Sequence, residues 1–319
     1  MLVIAVVLSL MQTALAKELV PGGKALGIRM STDGAVVAEL TGVDTPAGEL
    51  YPAAEAGIMK GDVITRIGAS PISTAEQLGE ALRELDGQTV AVTVRRGDRL
   101  RQYNVTPVSS DGEWRLGLVL RNGISGVGTL TFYDPETGVY GALGHSISDS
   151  ESGTVLPLGE GSVFGAGIES IDKGKVGAPG ALNGRSDEAK PLGDIRINCD
   201  CGIFGAGEFE GEALETGEIT PGRATILCTL GSDGVREYEI TVKKVFDGGG
   251  YKAAVLSVTD PGLLERTGGI VQGISGSPIL QDGRIVGAVT HVFVNDPSSG
   301  YGIGIRDMLS AAQSIEKAA

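Results

Sequence analysis

Between residues 20 and 108 the period of the apolar positions changes in a way that separates strand from helix. Val90, Val92 and Val94 alternate with other residues, the period-two pattern of a half-buried strand, and Arg95-Arg96-Gly97-Asp98 supplies a turn before a second strand at 100–105. A hairpin follows from that pairing. Ahead of it Ala75, Leu78, Leu82 and Leu85 fall on one helical face. They predict a helix over 74–85, opened by a capping box of Ser73 with Glu76 and closed by Asp86-Gly87. Upstream, residues 56–64 read as a turn that feeds a short apolar strand. These elements make residues 17–108 one compact α+β unit, and the polar stretch 109–113 reads as a linker.

From Trp114 to the end, over 114–319, short apolar runs alternate with glycine turns. The runs cover 118–120, 128–132, 225–229, 238–245, 253–258, 279–280 and 285–293, which predicts mostly β structure. Met308, Leu309, Ala312 and Ile315 predict one terminal helix over 308–318. Residues 1–16 are apolar except Ser9, Gln12 and Thr13, are too short for a comfortable membrane span, and end in Ala14-Leu15-Ala16. They read as a signal peptide or a short membrane anchor, with a buried N-terminal element as the alternative.

Composition narrows the function classes. Lys and Arg number 26 against 40 Asp and Glu, a net charge of −14, which opposes nucleic-acid binding because that depends on clustered cations. The 51 glycines without a collagen period suit many tight turns. Three cysteines, Cys199, Cys201 and Cys228, exclude a disulfide framework but permit one bridge. They also lack the C-x2-C spacing of a zinc site, so neither metal nor cofactor is expected. No dinucleotide or phosphate-loop glycine pattern occurs, and the acids of Glu208-Phe209-Glu210 read as a solvated loop.

The informative chemistry lies in Gly273-Ile274-Ser275-Gly276-Ser277-Pro278. Small neighbours expose the Ser275 hydroxyl, and a tight turn there can aim the N–H groups of Gly273 and Ser275 at one point, where an oxyanion would form. A serine needs a base, and the chain has only His145 and His291. His145, in Gly141-Ala142-Leu143-Gly144-His145, precedes the serine and is the better candidate, while His291 suits the wall of a substrate cleft. Taken alone, a single histidine near glycines is more often structural or exposed.

Two resemblances sharpen these readings. Residues 56–64 match the A-G-L-x-x-G-D-x-I signature of PDZ domains, with Ile58 in place of Leu, and the following helix and hairpin keep the PDZ order. That resemblance implies a loop offering N–H groups to a peptide carboxylate at Leu26-Gly27-Ile28, with a C-terminal or internal peptide adding to a sheet edge beside the helix. The turn around Ser275 resembles the nucleophile turn of chymotrypsin-like proteases. More closely, Gly128–Pro135, Gly141–His145, Thr259-Asp260-Pro261, Gly268–Pro278 and Gly287–Pro297 resemble the SpoIVB peptidase family. The family implies a trypsin-like double β-barrel serine endopeptidase after the PDZ unit, secreted into the space between the forespore membranes. It implies a regulatory cut in a membrane-anchored inhibitor that triggers intramembrane processing of a late mother-cell sigma factor, and self-cleavage. Carried over by position, its catalytic residues fall on His145, Asp260 and Ser275. Asp260 also reads as a turn initiator, and Asp134 or Asp149 could orient His145 instead. Ile274 stands where trypsin-like enzymes place an aspartate, which excludes activation by an N-terminal ion pair. The other classes are a non-catalytic PDZ scaffold and a quality-control protease of the HtrA type, whose PDZ follows the protease.

Overall fold

The structure is a computed structural model that describes residues 17–97, 99–148 and 153–316. The export reading of residues 1–16 and the alternative acid Asp149 lie outside them. The chain opens with β1 (Glu18–Pro21), the long β2 (Ala25–Leu40), β3 (Val43–Thr45), β4 (Gly48–Leu50), α1 (Pro52–Ala56), β5 (Val63–Ile67) and β6 (Ser70–Pro71). It continues through α2 (Ala75–Glu84), β7 (Val90–Arg96), β8 (Arg99–Val105), β9 (Val108–Ser110), β10 (Glu113–Arg115), the long β11 (Leu118–Tyr133) and β12 (Val139–Ala142).

Both β2 and β11 are sixteen residues long and run through two units. The ends of β2 and β11 that meet at Leu40↔Leu118 pair with each other, and β2 continues through Ala35↔Ile64 to β5, then β7 and β8. This sheet, α1 and α2 enclose a core that includes Val37, Ile58, Ile64, Leu78, Leu82, Val92 and Val94. Burying a side chain such as Leu78 or Leu82 contributes about 1.5–3 kcal/mol. The capping box of α2 sits one residue later than the spacing suggested. Thr74 is the N-cap and Gln77 its partner, because the Gln77 carbonyl accepts the N–H groups of both Ser73 (2.8 Å) and Thr74 (3.3 Å). The Gly-Asp of the 56–64 signature has a structural cause: Asp62 is buried and takes two bonds from Arg96, at 2.6 and 2.7 Å.

Two expectations about this region are corrected. Leu26, Gly27 and Ile28 form no carboxylate loop. They lie inside β2, and both edges of the strand are occupied there, with Leu26 opposite Gly128 of β11 on one side and Gly165 on the other. Their N–H groups are spent on sheet pairing, and a Cβ on Gly27 would overlap the Ser186 hydroxyl. Residues 109–113 are no irregular linker either, since β9 and β10 pair around a tight turn in which Asp111 (φ 53°) and Gly112 (φ 80°) are left-handed.

The remaining elements are β13 (Leu158–Asp172), β14 (Ala181–Asp194), β15 (Ile197–Cys199), β16 (Gly202–Ala206), β17 (Leu214–Glu215), β18 (Gly222–Thr229), β19 (Val235–Asp247) and β20 (Lys252–Val258). After them come α3 (Pro261–Thr267), β21 (Pro278–Gln281), β22 (Arg284–Phe293), β23 (Asp296–Gly304) and α4 (Ile305–Glu316). Six strands close a barrel in the order β18-β19-β20-β23-β22-β21, sealed by Thr225↔Leu280 and Ile226↔Ile279. The other peptidase half draws on one large sheet through β15-β16-β12-β11-β2, with β1 on β11 and β13 on β2. Thus the first strands of the chain, from the stretch expected to be PDZ alone, build the catalytic half as well. The terminal helix begins at Ile305, three residues before its expected start, and packs Met308, Ala312 and Ile315 inward.

Candidate active site

The two β halves meet at the segment between α3 and β21. It opens with Gly268 and Gly269 at φ 76° and 135°, and Gly273 and Gly276 are left-handed at 98° and 96°. Gly276 is constrained twice: besides its φ, an added Cβ would lie 2.5 Å from Leu143 N and closer still to Thr129 O.

Every carbonyl from Gln272 to Gly276 is tied down. Gln272 O accepts from Leu182 N (2.8 Å), Gly273 O from Thr129 Oγ1 (2.7 Å) and Ile274 O from Ser277 N (2.9 Å). Ser275 O accepts from Thr129 N (3.0 Å), and Gly276 O from Thr131 Oγ1 (2.7 Å). Because the C=O and N–H of one peptide point in opposite directions, each tether also fixes the N–H of the next residue. Ile274 N, Gly276 N and Ser277 N bond to Val271 O, Val289 O and Ile274 O. Gly273 N and Ser275 N have no protein acceptor among the described residues. Both residues line a cavity of about 710 Å3, so two fixed donors are left for a ligand oxygen there.

His145 enters the same cavity from the end of β12. The preceding Leu143 and Gly144 are both left-handed, at φ 70° and 69°, which for a buried leucine is a strained backbone beside the candidate base. His145 Nδ1 lies 2.9 Å from Ser146 O. A carbonyl only accepts, so Nδ1 carries the proton and Nε2 keeps its lone pair. The His291 ring, on β22, stands 4.5 Å from the His145 ring at 35°. Burial, and secondarily the charge of a neighbouring His291, lower the pKa of His145 to about 4, against a smaller opposing effect of Ser146 O. Burial also lowers that of His291.

The Ser275 hydroxyl donates to Thr290 O at 2.5 Å, so it rests against β22 and must turn about its Cα–Cβ bond to reach an imidazole. Neither expected acid joins it. Asp260 is the N-cap of α3, its oxygens accepting from Leu263 N (2.9 Å) and Glu239 N (3.3 Å), and it is absent from the cavity wall. Its placement departs from the expected triad: its oxygens serve Leu263 N and Glu239 N, and among the described residues no hydrogen bond joins it to His145, whose Nδ1 is on Ser146 O. Asp134 is buried elsewhere, paired with Lys17 and bonded to Thr137 Oγ1 at 2.7 Å. Ile274, where the ion pair would need an acid, is a fully buried core residue.

Sequence reasoning missed Thr129 and Thr131. Their signal was two hydroxyls inside an otherwise apolar stretch, Gly128–Phe132, where a buried polar group needs a partner. It also missed Asn198, whose amide bonds Ile147 N, Ile147 O and Leu156 O at 2.7, 2.8 and 2.9 Å and so pins the segment after His145.

A closed barrel set against a second β half, with a half-buried serine and paired N–H donors in the cleft between them, behind a unit of PDZ order, defines the class: a serine peptidase that carries a PDZ domain. Comparison with known families gives the same two parts in the same order. A model of the SpoIVB peptidase S55 family matches residues 112–309, and a PDZ domain model matches residues 25–106. The first match spans more than half of the chain, which belongs to the SpoIVB peptidase S55 family. Among solved structures, the active form of the Rv3671c protease from M. tuberculosis is 12% identical, covers 59% of this chain and 72% of its own, and has a TM-score of 0.36. Its inactive form is also 12% identical, with 58% and 84% covered and a TM-score of 0.34. None of the curated proteins matches the chain.

Proposed function

We propose that Ser275 is the nucleophile of this peptidase, His145 its general base, and Gly273 N and Ser275 N its oxyanion donors. Ser275 Oγ attacks a peptide carbonyl, and its proton passes to His145 Nε2. The tetrahedral oxygen is held by the two N–H groups, and the protonated imidazole then delivers the proton to the leaving amine. Ser146 O, a dipole rather than a full charge, keeps the tautomer in place of an aspartate. The observation that carries this reading is the run of five tethered carbonyls, which leaves two unpartnered donors beside the serine.

The family supports a finer role: an exported enzyme that makes a regulatory cut in a membrane-anchored protein during endospore formation, so that an intramembrane protease releases a sigma factor, and that also cuts itself. No helix among the described residues is long and apolar enough to cross a membrane. A peptide bound by the PDZ unit would add to β11, not to residues 26–28. Among the described residues no strand pairs with the second edge of β11 before Leu130, and α2 packs beside its start. Farther along that strand Ile124, Gly126 and Val127 line the cavity, so one edge leads from the PDZ helix to Ser275.

Ser275→Ala should abolish self-cleavage and fluorophosphonate labelling, a loss of several orders of magnitude. Ser277→Ala should do neither, since the Ser277 hydroxyl is buried without a partner. Equal activity of the Ser275 variant would end the proposal. The Ser275–Thr290 bond favours a second reading, a non-catalytic scaffold, which predicts that even the unaltered chain takes no label.

A further inference from the structure

Behind the site, β15 and β16 form a hairpin closed by the pair Cys199↔Gly202, with Asp200 and Cys201 at its turn. The two thiols stand two residues apart at this turn, and both are partly accessible. Cys228, by contrast, is sealed in the barrel core. The hairpin is joined to the site in two ways. Asn198, next to Cys199, makes the three bonds that hold Ile147 and Leu156. Gly202 is pressed against the backbone that leads to His145: a Cβ there would stand 2.6 Å from Ala142 O and 3.3 Å from Gly144 N. No slack separates the turn from that backbone.

We propose that Cys199 and Cys201 are a redox modification site, closing to a disulfide that loosens the Asn198 clamp and slows the chemistry at Ser275. The Cys199 thiolate attacks an external disulfide, forming a mixed disulfide and releasing one thiolate. Cys201 then loses its proton, and its sulfur attacks Cys199 Sγ and expels the second thiolate. Two protein thiols and one external disulfide become one protein disulfide and two external thiols. Cys199 is suited to attack first. The S–H of Cys201 and the N–H groups of Cys201 and Gly202 stabilise its thiolate and lower its pKa, against burial and the charge of Asp200. Drawing Cys201 onto Cys199 changes the turn that sets the Cys199↔Gly202 pair, and thereby the register of Asn198 and the approach to His145.

The catalytic part of this inference rests on the proposed function, so the test reads the clamp separately. The full chain is incubated with oxidised glutathione, and remaining thiols are counted by alkylation and peptide mapping. Amide exchange at Ile147 and the rate of fluorophosphonate labelling are then measured, with and without reductant. A Cys199–Cys201 link, faster exchange at Ile147, and labelling slowed about tenfold and restored by reductant are expected, since misplacement by about 1 Å can cost 10²-fold. Cys199→Ser and Cys201→Ser chains should show none of the three changes. A link that does not form, or forms with Ile147 exchange or labelling unaltered, overturns the proposal. A reduced chain that never labels would defeat the serine-peptidase assignment of Ser275 instead, and the Ile147 exchange would then decide this one.

Discussion

The acid limb of activity should report the environment of His145. An imidazole must be neutral to take the proton of Ser275, and burial with a second histidine at 4.5 Å lowers its pKa to about 4 from an ordinary 6.5. At pH 5.5 an ordinary histidine is about one-tenth neutral, whereas this one is almost wholly so. Labelling of Ser275 by a fluorophosphonate should therefore stay level from pH 8 down to about 5 and fall only as pH drops through about 4. Stability shares the cause, and its sign follows from proton counting. The unfolded chain binds a proton at this histidine near pH 6.5 and the folded chain only near 4, so the contribution of His145 falls as pH drops across that window. The whole loss is about 3 kcal/mol, at 1.36 kcal/mol for each unit of pKa. With two histidines in the chain, the ring-proton NMR titration of a His291→Asn variant belongs to His145 alone. That variant should titrate above the parent, because one cation has gone. A labelling profile that collapses between pH 7 and 6, with a His145 titration to match, would refute the argument that burial sets its basicity.

Other outcomes follow from the hydrogen bonds of the site. Asp260→Asn keeps an oxygen to cap α3 and should leave activity within about twofold, while Asp260→Ala should cost about 1 kcal/mol in denaturant unfolding. A loss near 10⁴-fold in the Asn variant, the size seen when a triad acid is neutralised, would restore Asp260 to the chemistry. Gly276→Ala should cost at least 10²-fold in labelling rate, since the methyl meets Leu143 N at 2.5 Å and forces apart the segments that carry Ser275 and His145. Thr129→Val removes the bond to Gly273 O and leaves that buried carbonyl without its partner. Denaturant unfolding should show a loss of about 1–3 kcal/mol, with labelling slowed in parallel.

What could be read from the residues alone divides along physical lines. Strands with one face in a core announce themselves by alternation, and 225–229, 238–245, 253–258 and 285–293 all lie in strands of the barrel. β13 and β14 stayed hidden because pairing holds them more than burial does. More than half of β14 is exposed, and its sequence, Ala181–Asp194, is charged and lacks an apolar alternation. The glycines around 275 and the approach to 145 were legible because few residue types allow left-handed backbone there. The role of Asp260 was not, since one Asp-Pro pair serves equally as a helix start or beside an imidazole, and only the partners of its oxygens distinguish these. The expected loop at 26–28 failed because a glycine that admits a neighbouring strand looks, in sequence, like one that admits an anion.

That β2 and β11 each serve both units bears on how the chain can be trimmed. A fragment beginning at Trp114 would lack β1 and β2, leaving β11 and β13 with exposed edges in the half that carries His145. N-terminal trimming that spares these strands therefore stops ahead of Lys17, which pairs with Asp134 and whose carbonyl accepts from Thr216 N, and the PDZ unit cannot be shed like a propeptide. Among the described residues, β2 and β11 join the PDZ unit to the peptidase with no irregular linker between them. A pull on a peptide held beside α2 would act along β11, a single strand whose far end lies beside the reacting groups.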